Sequence, residues 1–273
     1  MAFEIHPLGV RGSYPGSATR PSTFGQDTTC FFVLVGAQGL ILDAGSGLTR
    51  LAPPLLAAVE ADSLALLLTH YHLDHLMGFP FFRSPSQHPL PVHGPVLEGR
   101  GPEAALRHLM APPLIPVGLE AIGGFDFHPF APGKSFSVGD VSVETLAVNH
   151  PGGSIAYKLK GEGKALAFIP DIEHPGPDDA PDEALVDFVR GCEALIYDCM
   201  FSPQAWEARR GWGHSHWRAG QALCLASGVK RLIPTHFDPR ANDDDLESQN
   251  QEANDSTPAI TTEFAREGSV IQL

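Results

Sequence analysis

The stretch His70-Tyr71-His72-Leu73-Asp74-His75 puts three imidazoles and one carboxylate into six consecutive positions. Imidazole and carboxylate are ordinary ligands of a zinc-type cation, and a catalytic metal site keeps one position open for water. Residues at i, i+2 and i+4 of an extended segment point the same way. His70, His72 and Asp74 can therefore converge while His75 is turned aside, which suits two metals sharing one short segment. The plain alternative is four polar residues on a surface loop. It fits poorly with the apolar run Leu64 to Leu68, which leads through Thr69 straight into the cluster. A cage needs further ligands, and three more candidates stand just past expected strands: His150 after Val141 to Val148, Asp171 after Ala165 to Ile169, and His236 after Arg231 to Pro234. Alone, each reads as a structural residue. Together with the cluster, and placed alike at strand ends, they read as the rest of the cage.

A second constellation lies in Gly211-Trp212-Gly213-His214-Ser215-His216-Trp217, with Asp198 closing the strand Leu195-Ile196-Tyr197-Asp198. A histidine hydrogen-bonded to a carboxylate is a general acid of the kind that a phosphodiester leaving group needs. The alternative is that His214 caps a helix or orients a metal ligand. Around these groups, Asp43 reads either as the partner that orients a metal-bound histidine or as a strand-end turn residue, and Thr69 and Thr235 could act alike. Glu173 and His174 follow Asp171 closely enough to reach a substrate. Phe79, Phe81 and Phe82 could stack a base, with core packing the plainer reading. Ser13, Tyr14 and Asp27 could border a pocket, with a solvated loop the plainer reading. Arg11 and Arg83 are isolated and take no assignment.

Strands are expected at 3–9, 29–35, 40–43, 64–69, 141–148, 154–159, 165–169, 194–198 and 231–234. Residues 10–29 form a Gly/Ser/Pro/Thr loop that is long for a bare connection and so points to function. A helix from about Leu48 is interrupted by Pro53-Pro54. Residues 79–124, rich in proline and aromatics, read as an irregular cap with one helix-like stretch near Glu103 to Met110. Helices are expected over Pro181 to Arg190 and His216 to Ser227. The acidic tail should hold one surface helix and a last strand, Gly268 to Leu273. This order suggests two sheets with helices outside and not a doubly wound parallel sheet. No linker divides residues 1–273, which read as one domain.

The chain of 273 residues carries a formal net charge of −14. That argues against a general nucleic-acid binder, which needs clustered Lys and Arg, but bound divalent cations would still admit an anionic substrate. No basic and apolar leader opens the chain, and Leu64 to Leu68 is too short to cross a bilayer. Cys30, Cys192, Cys199 and Cys224 show no paired spacing and read as reduced, buried thiols of a cytoplasmic protein.

HYHLDH resembles the HxHxDH motif of the metallo-β-lactamase fold superfamily, and His150, Asp171 and His236 are similar to its later motifs in order and placement. The resemblance covers nearly the whole chain. It implies an α/β fold of the αββα sandwich type, with two mixed β-sheets flanked by helices. It also implies one metal held by His70, His72, His150 and Asp171 and another by Asp74, His75, Asp171 and His236, with Asp171 bridging. Position 171 is aspartate, where lactam-cleaving members commonly carry cysteine. Asp198 and GHSH resemble the acid pair of the phosphodiesterase branch, best known in tRNA 3′-processing endonucleases, although His216 replaces a Thr there and Asp198 a Glu. Those endonucleases insert a long arm for tRNA between the third histidine motif and the bridging aspartate, whereas only about twenty residues separate His150 from Asp171. The strings GVRGSYPG, LILDAGSGL, NHPGGSIAYKL and IYDCMFS look more like a group of small bacterial hydrolases of this fold, cyclic-nucleotide phosphodiesterases among them.

The expectation is a dinuclear, metal-dependent phosphodiesterase acting on a small or cyclic nucleotide-type phosphodiester. His214, Asp198 and Asp74 are its catalytic residues. Its cofactors are two divalent ions, zinc first, with manganese or iron admissible. No stable nucleic-acid or membrane partner is expected, and a homodimer is compatible. Two alternatives stay open: a thioester or lactone hydrolase of the same fold, and a non-hydrolytic metal-binding sensor.

Overall fold

The computed structural model describes residues 2–17, 22–60, 62–84, 88–174 and 181–273. Parts of the 10–29 loop (18–21) and of the 79–124 segment (85–87) lie outside the described residues.

Among the described residues, two mixed sheets of seven strands each make the frame. The first is built from β1 (Phe3–Gly9), β2 (Cys30–Val35), β3 (Gln38–Leu42), β4 (Leu64–Leu67), β5 (Leu90–Pro95) and β6 (Phe125–Phe130), with β14 (Ile271–Gln272) beside β1. The second holds β7 (Phe136–Val138), β8 (Val141–Val148), β9 (Ser154–Gly161), β10 (Lys164–Ile169), β11 (Ala194–Asp198), β12 (Arg231–Thr235) and β13 (Thr261–Thr262). Side chains alternate across a strand, and β2 shows what that does here. Phe31, Val33 and Val35 enter the core between the sheets, where they meet Val143, Tyr157, Leu159, Phe168 and Ile196, while Cys30, Phe32 and Leu34 join the opposite face. Both faces are covered, which is why β2 reads as an unbroken apolar run.

The outer face of the first sheet packs against α1 (Pro102–Leu109), through Leu106, and against Met110. The outer face of the second packs against α2 (Glu183–Val189) and α3 (Trp217–Ser227), through Leu185, Val189 and Leu223. This is the expected αββα arrangement. Three helices begin where side chains satisfy their free N–H groups: Asp182 accepts from Ala184 and Leu185, His216 from Ala219, and Asn242 and Asp245 form a capping box on the helix Asp243–Ser256.

Three local expectations need correction. The helix expected from Leu48 is a 3-10 turn over Ser46–Arg50 followed by a single turn, Pro53–Leu56, because Pro53 and Pro54 can only start a helix. The last strand is shorter than expected, Ile271–Gln272. The 79–124 segment is not wholly irregular, since it contributes β5, a strand inside the first sheet. Its prolines mask it, because proline is rare in central strands. The N–H groups of Leu90 and Val96 bond to Gly124 and Phe130, on the β6 side. Alternation then turns Pro91 and Pro95 toward β4, whose pairing with β5 is confined to Val92 and His93. Phe79 and Phe82 of this segment are core residues and Phe81 is exposed. No helix among the described residues is long and apolar enough to cross a membrane. All four cysteines are free and buried.

Candidate active site

Parallel strands that end together leave their following residues at one edge of a sheet. Here β4 delivers Thr69 to His75, and β10, β11 and β12 deliver Asp171, Asp198 and His236, with His150 just after β8. The seven expected ligands come together. Ring nitrogens of His70, His72 and His150 lie within 4.8 Å of one another, and so do donor atoms of Asp74, His75 and His236. Asp171 joins His70 and His75 on one side and His236, His214 and Asp198 on the other.

Residues behind the cluster fix how the rings face. Asp43, fully buried, accepts from the N–H and hydroxyl of Thr69 and from Nδ1 of His75 at 2.9 Å. His150 donates Nδ1–H to the carbonyl of Gly213 at 2.8 Å, and Nδ1 of His70 meets the Thr69 hydroxyl at 3.0 Å. In each case Nε2 is left for the cluster, the arrangement that carboxylates and carbonyls impose on metal-binding imidazoles. Thr235 stands at the end of β12 with no partner for its hydroxyl among the described residues.

The donor set fits cations. His70 Nε2 is buried with no hydrogen-bond partner, a condition that costs about 1–3 kcal/mol per atom. Asp171 Oδ2 lies 2.9 Å from His75 Nε2 without the alignment of a hydrogen bond. Nitrogen faces nitrogen at 3.1 Å between His72 and His150 and at 3.3 Å between His75 and His236. Burial pushes His70, His72 and His150 below the usual imidazole value, toward the neutral form that ligates. Burial opposes charge on Asp74 and Asp171, but His75 and His236 outweigh it and hold both carboxyls well below the usual range. Burial also opposes charge on His75, yet Asp171, Asp74 and Asp43 raise it well above its usual value. A cation between those carboxylates would take that proton's place.

Asp198 and His214 are paired as expected, Oδ2 to Nδ1 at 2.9 Å. Asp198 is buried and also accepts from the N–H groups of Ile172, Met200 and Ser215, so it is anchored on four sides. Burial works against a charged His214, but Asp198 prevails and pushes the ring up to about 9. Beside His214 opens a cavity of about 360 Å³ whose lining includes Ser13, Tyr14, Phe201 and Trp212.

Several second-rank expectations resolve differently. Glu173 does not reach into the cavity, because its two oxygens accept from the N–H groups of Gly211 (2.6 Å) and Gly213 (2.7 Å) and clamp the loop that carries His214. Gly213 has a φ of +87°, and a Cβ there would lie 2.7 Å from His150 Nδ1, so only glycine fits between loop and ligand. His174 packs flat on Trp206, ring centroids 4.2 Å apart, and meets the Ser215 hydroxyl at 2.9 Å. The 10–29 loop reaches the cage through its backbone, with the N–H of Ser13 donating to Asp74 Oδ2 at 2.7 Å, and Ser13 and Tyr14 border the cavity beside His214. Arg11 is buried and bonds to the carbonyls of Gly25, Asp238 and Ala241, while Arg83 bonds to that of Ala121. Asp27 accepts from the Ser46 hydroxyl and from Arg50. Glu173 and Ser13 carry no sequence signal for these roles, since what they engage or offer is backbone.

Comparison with known proteins bears on the family and the fold. Residues 40–237 match the family described as the beta-lactamase superfamily domain. A ribonuclease Z of Shouchella clausii is 26% identical over 293 aligned positions, covering 87% of this chain and 88% of that protein. Among solved structures, the metallo-beta-lactamase fold protein YhfI from Bacillus subtilis superposes with a TM-score of 0.73 at 17% identity over the whole of both chains. The short form of human tRNase Z does so with 0.69 at 17% identity over 98% of each. Relatives named for cleaving RNA stand against the expectation that no nucleic acid is bound. From the match over most of its length and the two-sheet frame, the chain belongs to the beta-lactamase superfamily and has the metallo-β-lactamase fold.

Proposed function

We propose that this metallo-β-lactamase-fold hydrolase is a phosphodiesterase with two divalent metal ions, zinc first among candidates, acting on a small phosphodiester of the nucleotide type. The observation that carries this is the Asp198–His214 pair set directly against the cage. A thiolate leaves unaided, whereas an alkoxide leaving from phosphorus needs a proton. His70, His72, His150 and Asp171 would hold one ion, and Asp74, His75, Asp171 and His236 the other. When bound, the ions supply charge stabilisation at phosphorus and an activated water. Asp198 keeps the His214 imidazolium oriented through Nδ1, and His214 gives a proton to the departing oxygen as the P–O bond breaks. Asp43, Thr69 and the Gly213 carbonyl hold the ligand rings in place behind the cage. Four free, buried thiols suit a reducing compartment such as the cytoplasm.

The net charge of −14 favours a small substrate over a long polyanion. So does the tight β9–β10 turn at Glu162 and Gly163, which leaves no inserted arm. The relative named ribonuclease Z favours a second reading, cleavage of RNA. The test is turnover of bis-p-nitrophenyl phosphate, 2′,3′-cyclic and 3′,5′-cyclic nucleotides, a short RNA and a glutathione thioester by metal-replete protein. Small diesters should be cleaved fastest. Preference for the RNA would replace the small-substrate reading, and thioester turnover without diester turnover would overturn the phosphodiesterase.

A further inference from the structure

We propose that the cavity beside His214 is the subsite for the leaving group, and that it selects a nucleoside by stacking its base on Trp212, with Tyr14 on the same lining. The proposal rests on the phosphodiesterase reading above. A volume of about 360 Å³ takes one nucleoside and not an extended strand. Two of its walls are large rings left in water, Trp212 at 62% exposure and Tyr14 at 50%. Exposed aromatic surface gathered at one cleft is what a stacking platform offers, because every base has a π-face.

The platform is held in advance. Trp212 sits between Gly211 and Gly213, whose N–H groups are both fixed by Glu173. Its ring is braced edge-on by Phe201 at 6.4 Å, and Phe201 in turn stands edge-on to His214 at 6.0 Å. Arg209 covers Phe201 at 5.1 Å. An aromatic wall thus runs unbroken from the mouth of the cavity to the proton donor, so a base on Trp212 places its sugar oxygen toward His214. The rim adds Ser13 and an Arg240 whose Nε and Nη2 are committed to Asp238. Apart from His214, Arg240 is the cation among the described residues of the lining, and its pairing with Asp238 weakens its pull on a polyanionic backbone. A ring fixed beforehand loses little freedom when a ligand arrives.

The test compares adenosine 5′-monophosphate with ribose 5-phosphate on the full metal-replete chain, by calorimetric titration and as inhibitors of bis-p-nitrophenyl phosphate turnover. The wild type should bind the nucleotide about tenfold more tightly than the sugar phosphate. Trp212→Ala should erase that difference, and Trp212→Phe should keep most of it. Equal binding of the two ligands by the wild type, or a preference that survives Trp212→Ala, overturns the proposal. Diester turnover without a base preference would remove the subsite and leave the phosphodiesterase. A Trp212-dependent base preference without diester turnover would remove the phosphodiesterase and leave an aromatic pocket of other use. Metal content and far-UV dichroism of each variant show that it is folded and loaded.

Discussion

The carboxylate of Glu173 accepts the backbone N–H of Gly213 at 2.7 Å, and the carbonyl of that same glycine accepts Nδ1–H of His150 at 2.8 Å. One glycine therefore ties a loop clamp to a candidate metal ligand, with the candidate proton donor next in sequence. In Glu173→Ala the loop loses two charge-assisted acceptor bonds, and a small displacement of His214 is enough to slow turnover by about ten- to a hundredfold. The drop should appear in kcat more than in KM, with the fold intact by thermal melting. A kcat unchanged within twofold would show that the clamp does not position His214.

His214→Ala should reduce diester turnover by about a hundred- to ten-thousandfold while the protein keeps its metals. The loss should be smaller for p-nitrophenyl leaving groups, which depart without a proton, than for alkyl ones. Metal analysis alongside kinetics decides between acid and scaffold: a variant that loses metal but keeps its rate per bound ion would make His214 a structural residue.

Among the described residues, Asp43 reaches the cage through Thr69 and His75. Its replacement by alanine frees the His75 ring and removes the acceptor that leaves Nε2 for a cation. Metal affinity is expected to fall by about ten- to a hundredfold, read by competition with a chelating indicator. Affinity equal to that of the wild type would show that the ring is held by packing alone.

Far from the cage, Glu267 offers a pH-dependent stability. Burial pushes its carboxyl up to about 7 despite the N–H of Asp27 donating to it. Between the ordinary carboxylate value and about 7 the folded chain holds a proton that the unfolded chain has lost. This contribution is therefore present at low pH and disappears as pH rises through 7, a change on the order of 3 kcal/mol. Glu267→Gln removes the titration. Its melting temperature relative to the wild type should rise from pH 5 to pH 8, and a constant offset would show that Glu267 does not titrate in that window.

How much of this was readable in the sequence depends on where each residue's partners lie. His70 to His75 are neighbours in the chain and follow an apolar strand, so their convergence is written locally. His150, Asp171, Asp198 and His236 stand just after or at the end of strands with plain apolar patterns, and strand ends that share an edge meet. Glu173 was legible only as a polar residue near the bridge position, because the groups it binds are main-chain N–H groups about forty residues away. Arg11 looked isolated for the same reason, its acceptors being carbonyls contributed by distant turns. β5 was hidden by Pro91 and Pro95, which are harmless only because the β4 ladder is short at that point. Composition and period describe side chains, so what depends on backbone groups brought together by folding is not visible in them.

Asp74 and His236 stand 162 positions apart in the chain and 3.2 Å apart in space. No portion of the polypeptide shorter than that span can present both, so this pair forms only when β4 of the first sheet and β12 of the second have come together. An ion held between Asp74 and His236 would be captured only after the two halves have closed on each other. Chelation would accordingly act on the joint between the sheets and loosen the molecule from its catalytic edge inward.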